Sequence, residues 1–114
     1  MTTKWLMAFL AIVGITALPA AAQAFECPKH FAKAEAAIAE AQGSMNDMKG
    51  KMSDEAMARV RTHVNAAEMT LAEAKFHHNR GGGDLHHALS IMRAHMAVGH
   101  AAAASALHRS MMSN

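Results

Sequence analysis

Small and apolar residues recur along most of this chain at alternating spacings of three and four, and glycine-marked breaks divide the pattern into three stretches. A period near 3.5 is that of a helix burying one narrow stripe, so the chain is expected to pack helix against helix. The first stripe runs Cys27, Phe31, Ala34, Ile38, Ala41, Met45, Met48 and Met52. Pro28 suits its first turn, where a missing N–H costs nothing. Gly43 and Gly50 weaken this helix beyond Gln42, and a break there would give a short four-helix count. Ser53-Asp54-Glu55 then supplies a hydroxyl cap and two acids near the positive end of a helix dipole. The second stripe is Met57, Val60, Val64, Ala67, Leu71, Ala74 and His78. Gly81-Gly82-Gly83 ends it, and Asp84 is expected to cap a third helix striped by Leu85, Leu89, Met92, Met96, Gly99, Ala103 and Ala106. Short connections make neighbours antiparallel. The expected fold is therefore all-α, a three-helix up-down-up antiparallel bundle, with a helical hairpin that dimerises to complete its core as the alternative.

The chain has 114 residues, enough for one small domain. Lys4, the apolar run from Trp5 to Ala17, Pro19 and the small-x-small sequence Ala22-Gln23-Ala24 form the pattern of a cleavable signal peptide. Residues 1–24 are expected to be removed, leaving 25–114 as a single helical domain in the periplasm or outside the cell. The run is at the short edge for spanning a bilayer, so no membrane attachment is expected after cleavage. One Cys cannot form a disulfide within the chain, but Cys27 could join two chains in a covalent homodimer. A formal net charge of +2, with no basic block, argues against a nucleic-acid partner.

Large aliphatic residues are few. Fixing each backbone residue costs roughly 1–2 kcal/mol, and small scaffolds in that position recruit a metal, a disulfide or a partner. The chain carries 9 His and 11 Met. Folding helices 2 and 3 back to back about Gly82 sets His77 and His78 against His86 and His87. The start of helix 1 brings Cys27 and His30 to the same tip, and these six residues are the expected main metal site. Cys27 and His78 follow the stripes, and His77 and His87 lie more outward. The opposite tip gathers Met45, Met48, Met52, Met57, His108, Met111 and Met112. Between the tips, Met92, His95, Met96 and His100 form a ladder, with His63 expected near His100 and Glu68 near His95 and Met96. The bland alternative is that stripe methionines fill the core and surface histidines are solvated.

Thioether is a soft, neutral ligand for Cu(I), and imidazole suits Cu(II), zinc and nickel. Copper is the expected metal, with zinc or nickel as alternatives. There is no carboxylate cluster of the calcium type and no paired Cys of the structural-zinc type. Haem is disfavoured, because Cys27-Pro28-Lys29-His30 supplies only one Cys of an attachment motif. Cys27 near His30 could pair a nucleophile with a base, but no third orienting group accompanies them, and no enzyme activity is expected.

The stretches from His30 to Ile38, from Gly99 to His108, and Gly81-Gly82-Gly83-Asp84-Leu85-His86-His87 resemble the exported small metal-binding proteins. The resemblance implies a short helical bundle that holds copper and other divalent metals. This chain departs from that pattern in having fewer His, far more Met, and a Cys. The functional expectation is a periplasmic metal buffer, store or carrier acting through its His, Met and Cys clusters. The alternative is a structural or interaction module that completes its core with a partner, its His and Met being incidental.

Overall fold

The computed structural model describes residues 20–81 and 83–113, with side chains from position 26 onward. The expected signal peptide, residues 1–24, lies for the most part outside the described residues. Three helices form among those described: α1 (Ala20–Met48), α2 (Asp54–Asn79) and α3 (Gly83–Met112), each packed against both others. Cross-helix pairs fix their directions. Glu35 pairs with Lys75 and Gln42 with Glu68, so α2 runs against α1. Ser90 reaches Ala74 and Arg93 reaches Glu73, so α3 runs against α2 and along α1.

Ser53 caps α2 as expected: its Oγ accepts from the Ala56 N–H at 3.2 Å, and Asp54 and Glu55 fill the first turn. Other boundaries differ from expectation. α1 continues through Gly43 to Met48 and is not broken near Gln42. Gly43 is exposed, while Ala41 and Met48 on either side of it are wholly buried. That packing outweighs the roughly 1 kcal/mol a helical glycine costs. The stop comes at Gly50, whose φ of 76° is the left-handed geometry that glycine adopts without strain. Pro28 lies inside α1, because the helix already begins at Ala20. Asp84 stands in the first turn of α3, after Gly83, and does not cap it.

The stripes of α1 and α2 meet as their spacing predicts. Cys27, Ala34, Ile38, Ala41 and Met48 are buried on α1, and Val60, Val64, Ala67, Leu71 and Ala74 on α2. The stripe expected on α3 does not meet them. Its buried face is Ser90, Ala94, Ala97, Ala101, Ala104 and Ser105. Leu85, Met92 and Met96 are 69%, 46% and 41% exposed. At 100° per residue the two faces are nearly opposite. The physical reason is geometric: α3 lies in the furrow between α1 and α2, and a helix seated against two neighbours needs small residues for the axes to approach. Bulk is left on its outer side.

Candidate metal centre

At one tip of the bundle each of the three helices contributes one side chain of a type that can hold a metal ion. Cys27 comes from α1, His78 from α2 and His87 from α3, and one donor atom of each lies within 4.8 Å of the others. Cys27 is wholly buried, and its Sγ is 3.9 Å from His87 Nδ1. The His78 ring meets Phe31 edge-on at 5.5 Å and His87 at 5.9 Å. His78 Nδ1 is itself buried with no hydrogen-bond partner among the described residues. A buried polar nitrogen left unpaired costs about 1–3 kcal/mol, so this one calls for an ion, a ligand or a water. The framework beneath is pinned by Ser90, whose buried Oγ donates to the Ala74 carbonyl at 2.7 Å.

The six expected tip residues therefore divide. Cys27, His78 and His87 come together. His77 and His86 stack on each other at 5.8 Å beside them, each with a buried, unpartnered Nδ1 among the described residues. His30 turns away to His95, with 2.9 Å between His30 Nδ1 and His95 Nε2. His87, expected to lie outward, is a member of the centre. Its place was readable: His87, Ser90, Ala94, Ala97, Ala101 and Ala104 recur at threes and fours, a stripe of small residues that ends in a ligand. Weighing residues by hydrophobic bulk hid it.

At the opposite tip, Met48 is wholly inside the core, and Met45, Met52, Met57 and Met111 pack against it. Core filling accounts for these five. Met112 is 47% exposed, and His108 keeps a buried Nε2 without a hydrogen-bond partner among the described residues. The ladder on α3 splits. Met92, His95 and Met96 line a groove against α1 together with His30. His100 turns to α2, its ring 6.3 Å from that of His63, as expected. Glu68 does not approach His95 or Met96: it accepts a 2.6 Å hydrogen bond from Gln42 Nε2, so it faces α1. Glu68 thus lies on a different face from the one expected.

The burial of Cys27 also bears on a covalent homodimer. A disulfide to a second chain requires this tip to open, because no surface of the residue reaches solvent in the closed bundle. Among the described residues, no helix is long and apolar enough to cross a membrane.

A thiol and two imidazoles suit Zn(II) with an open fourth position, or copper in a three-coordinate site. Metal–donor distances of 2.0–2.3 Å place the donors of a filled tetrahedral site about 3.5 Å apart. The donors, within 4.8 Å of one another, must then close in by up to about 1.3 Å on loading, within reach of small χ adjustments.

His30 is held below its ordinary pKa of 6.5, first by desolvation, then by His95 and Lys33, with Glu26 opposing them. The folded state therefore gives up this proton more readily than the unfolded chain. Stability tied to His30 is complete above pH 6.5 and declines as the pH falls toward the lowered folded value. NMR titration of the metal-free protein is expected to place the His30 midpoint below 6.5, and His30→Gln is expected to flatten the acid limb of its stability curve. A midpoint at or above 6.5 would contradict the desolvated setting of this ring.

The centre must be read from its own donors and geometry: comparison of the chain with protein-family models, with curated proteins and with solved structures gives no match.

Proposed function

We propose that this is an exported metal-binding protein, a buffer, store or carrier of copper, with Cys27, His78 and His87 as its principal centre. The observation that carries the reading is the convergence of one soft or borderline donor from each of three helices within 4.8 Å. An ion there would tie all three helices together at one point. The signal-peptide pattern at residues 1–24, the abundance of Met and His, and the resemblance to exported small metal-binding proteins favour copper. Cleavage after Ala24 would leave Pro28 in the first turn of α1, where its missing N–H costs nothing. Imidazole and thiol must release protons to bind, so affinity is expected to fall as the medium becomes acidic.

Titration of the metal-free protein with Cu(I), Cu(II) and Zn(II) in separate, redox-controlled runs tests the reading. The centre is expected to take up about one ion per chain, an uptake that depends on releasing ligand protons. Combining Cys27→Ser with His87→Ala is expected to abolish that equivalent. Undiminished uptake in the double variant would remove the basis for the proposal.

A second reading, an interaction module with incidental His and Met, is favoured by Met69, Phe76 and Leu85, which are 67%, 56% and 69% exposed. Solution mass separates the two: a stable oligomer formed without metal supports the module, and a metal-free monomer that binds copper supports the centre.

A further inference from the structure

The groove between α1 and α3 holds a second collection of soft donors that the tip centre does not use. It is an open trough of about 700 Å³ lined by Glu26, His30, Ile91, Met92, His95 and Met96, with Ala88 between them. Met92 and Met96 are one turn apart on α3, and His95 lies on the same side, three residues from Met92. From α1, His30 crosses the groove to place its Nδ1 2.9 Å from His95 Nε2, with ring centroids 4.6 Å apart.

Packing does not account for the two thioethers. Methionine in a helical bundle ordinarily fills core space, and Met45, Met48, Met52, Met57 and Met111 do so here. Met92 and Met96 are 46% and 41% exposed, in a chain whose third helix buries only alanine and serine. A fold short of bulky core residues leaves two of its largest outside the core and nearly half exposed, beside a pair of touching imidazoles. What the four share is ligand chemistry. Thioether sulfur is soft, neutral and available at any pH, and imidazole nitrogen is borderline. Together they suit a soft monovalent ion better than a hard or divalent one.

We propose that His30, His95, Met92 and Met96 form a second site, open to solvent, that binds Cu(I). It extends the metal-binding reading and shares no residue with the tip centre, so either site can fail without the other. The two sites are neighbours along α1, where Cys27 and His30 stand three residues apart on adjoining turns. The exposed site is placed to exchange ions with the surroundings, and the enclosed tip to retain them.

Ag(I), a redox-inert ion of the same charge and softness, is the probe. Methionine methyl and histidine ring NMR are followed during titration of the wild type, of Cys27→Ser/His87→Ala, and of His30→Ala/His95→Ala, with circular dichroism confirming that each remains helical and bound ion counted for each. The Met92 and Met96 methyl signals are expected to shift saturably in the wild type and in the tip variant. In the His30/His95 variant the apparent dissociation constant at these methyls is expected to rise at least about tenfold. Zn(II) is expected to leave both methyls in place. If the two methyls stay fixed while the tip residues respond, the groove is not a site and the tip reading stands. Equal Ag(I) shifts with and without the imidazoles would also overturn the proposal, since the thioethers would then be binding alone. Shifts in the groove with no uptake at Cys27 would uphold the groove and overturn the tip.

Discussion

Copper at about a hundredfold above its dissociation constant is expected to stabilise the bundle by about 2.7 kcal/mol, because an ion that binds only the folded state shifts unfolding by mass action. A domain of 60–100 residues responds with about 4–8 °C per kcal/mol, so the melting temperature should rise on the order of 10–20 °C. The size of the effect follows from the placement of the donors. Cys27, His78 and His87 sit on three different helices, and Cys27 lies far in sequence from the other two, so the unfolded chain presents all three together much less readily than the bundle does. The ion therefore acts on the packing of α1, α2 and α3 at once. Cys27→Ala combined with His87→Ala is expected to remove the metal-dependent rise and leave a helical, lower-melting protein. Scanning calorimetry or circular dichroism with and without metal measures it. Melting curves that coincide in the wild type, at a copper excess that saturates uptake, would mean the ion binds without joining the helices.

Met48→Ala is expected to cost about 2–5 kcal/mol in the metal-free protein, the range for deleting a long apolar side chain from a packed interior. Met48 is the largest of the fully buried side chains among the described residues, wholly excluded from solvent in the end of the bundle remote from Cys27. Met45, Met52, Met57 and Met111 pack against the same core, and flexible side chains of this kind can close part of a cavity, which places the cost toward the lower end. Met96→Ala, at a position 41% exposed, is expected to stay within about 0.5 kcal/mol of the wild type. Met48→Leu keeps the volume and should cost less than about 1.5 kcal/mol. Urea midpoints for the three variants separate these values. The same set distinguishes the two uses of methionine: metal uptake is expected to be unchanged in Met48→Leu and reduced in Met96→Ala. Equal destabilisation by Met48→Ala and Met96→Ala would show that burial does not divide the two roles.

The all-α architecture and the packing of two helices were legible because hydrophobic bulk and buried position coincide on α1 and α2. Ile38, Val60, Val64 and Leu71 lie on the same stripes as the buried alanines, so either signal finds the right face. On α3 the signals part. Leu85, Met92 and Met96 carry more apolar bulk than Ala94, Ala97 and Ala101, yet they lie away from the buried seam. The error carried into the site. Cys27 and His78 stood at the ends of correctly read stripes, whereas His87 and the His30–His95 contact depended on the rotation of α3. Register survived this, because turn length fixes the level at which antiparallel helices meet; His63 does find His100. Face did not survive for Glu68, since a polar residue between two furrows can turn into either. Gly43 shows the reverse case, a local helix weakness overridden by the buried residues around it.

Among the described residues, alanine fills more than half of the buried apolar positions, including the whole buried apolar seam of α3. An alanine side chain has no rotamers to give up on folding, whereas a buried leucine or isoleucine loses about 0.5–1 kcal/mol of side-chain freedom and a methionine up to about 2. The seam gains little from burying its methyl groups, and it gives up almost no disorder to do so. The long side chains of Leu85, Met92 and Met96, which remain 69%, 46% and 41% exposed, keep more of their rotamers than buried ones would. A folded helix of this kind has an ordered backbone and a mobile outer surface, and its thioethers can still swing to meet whatever arrives.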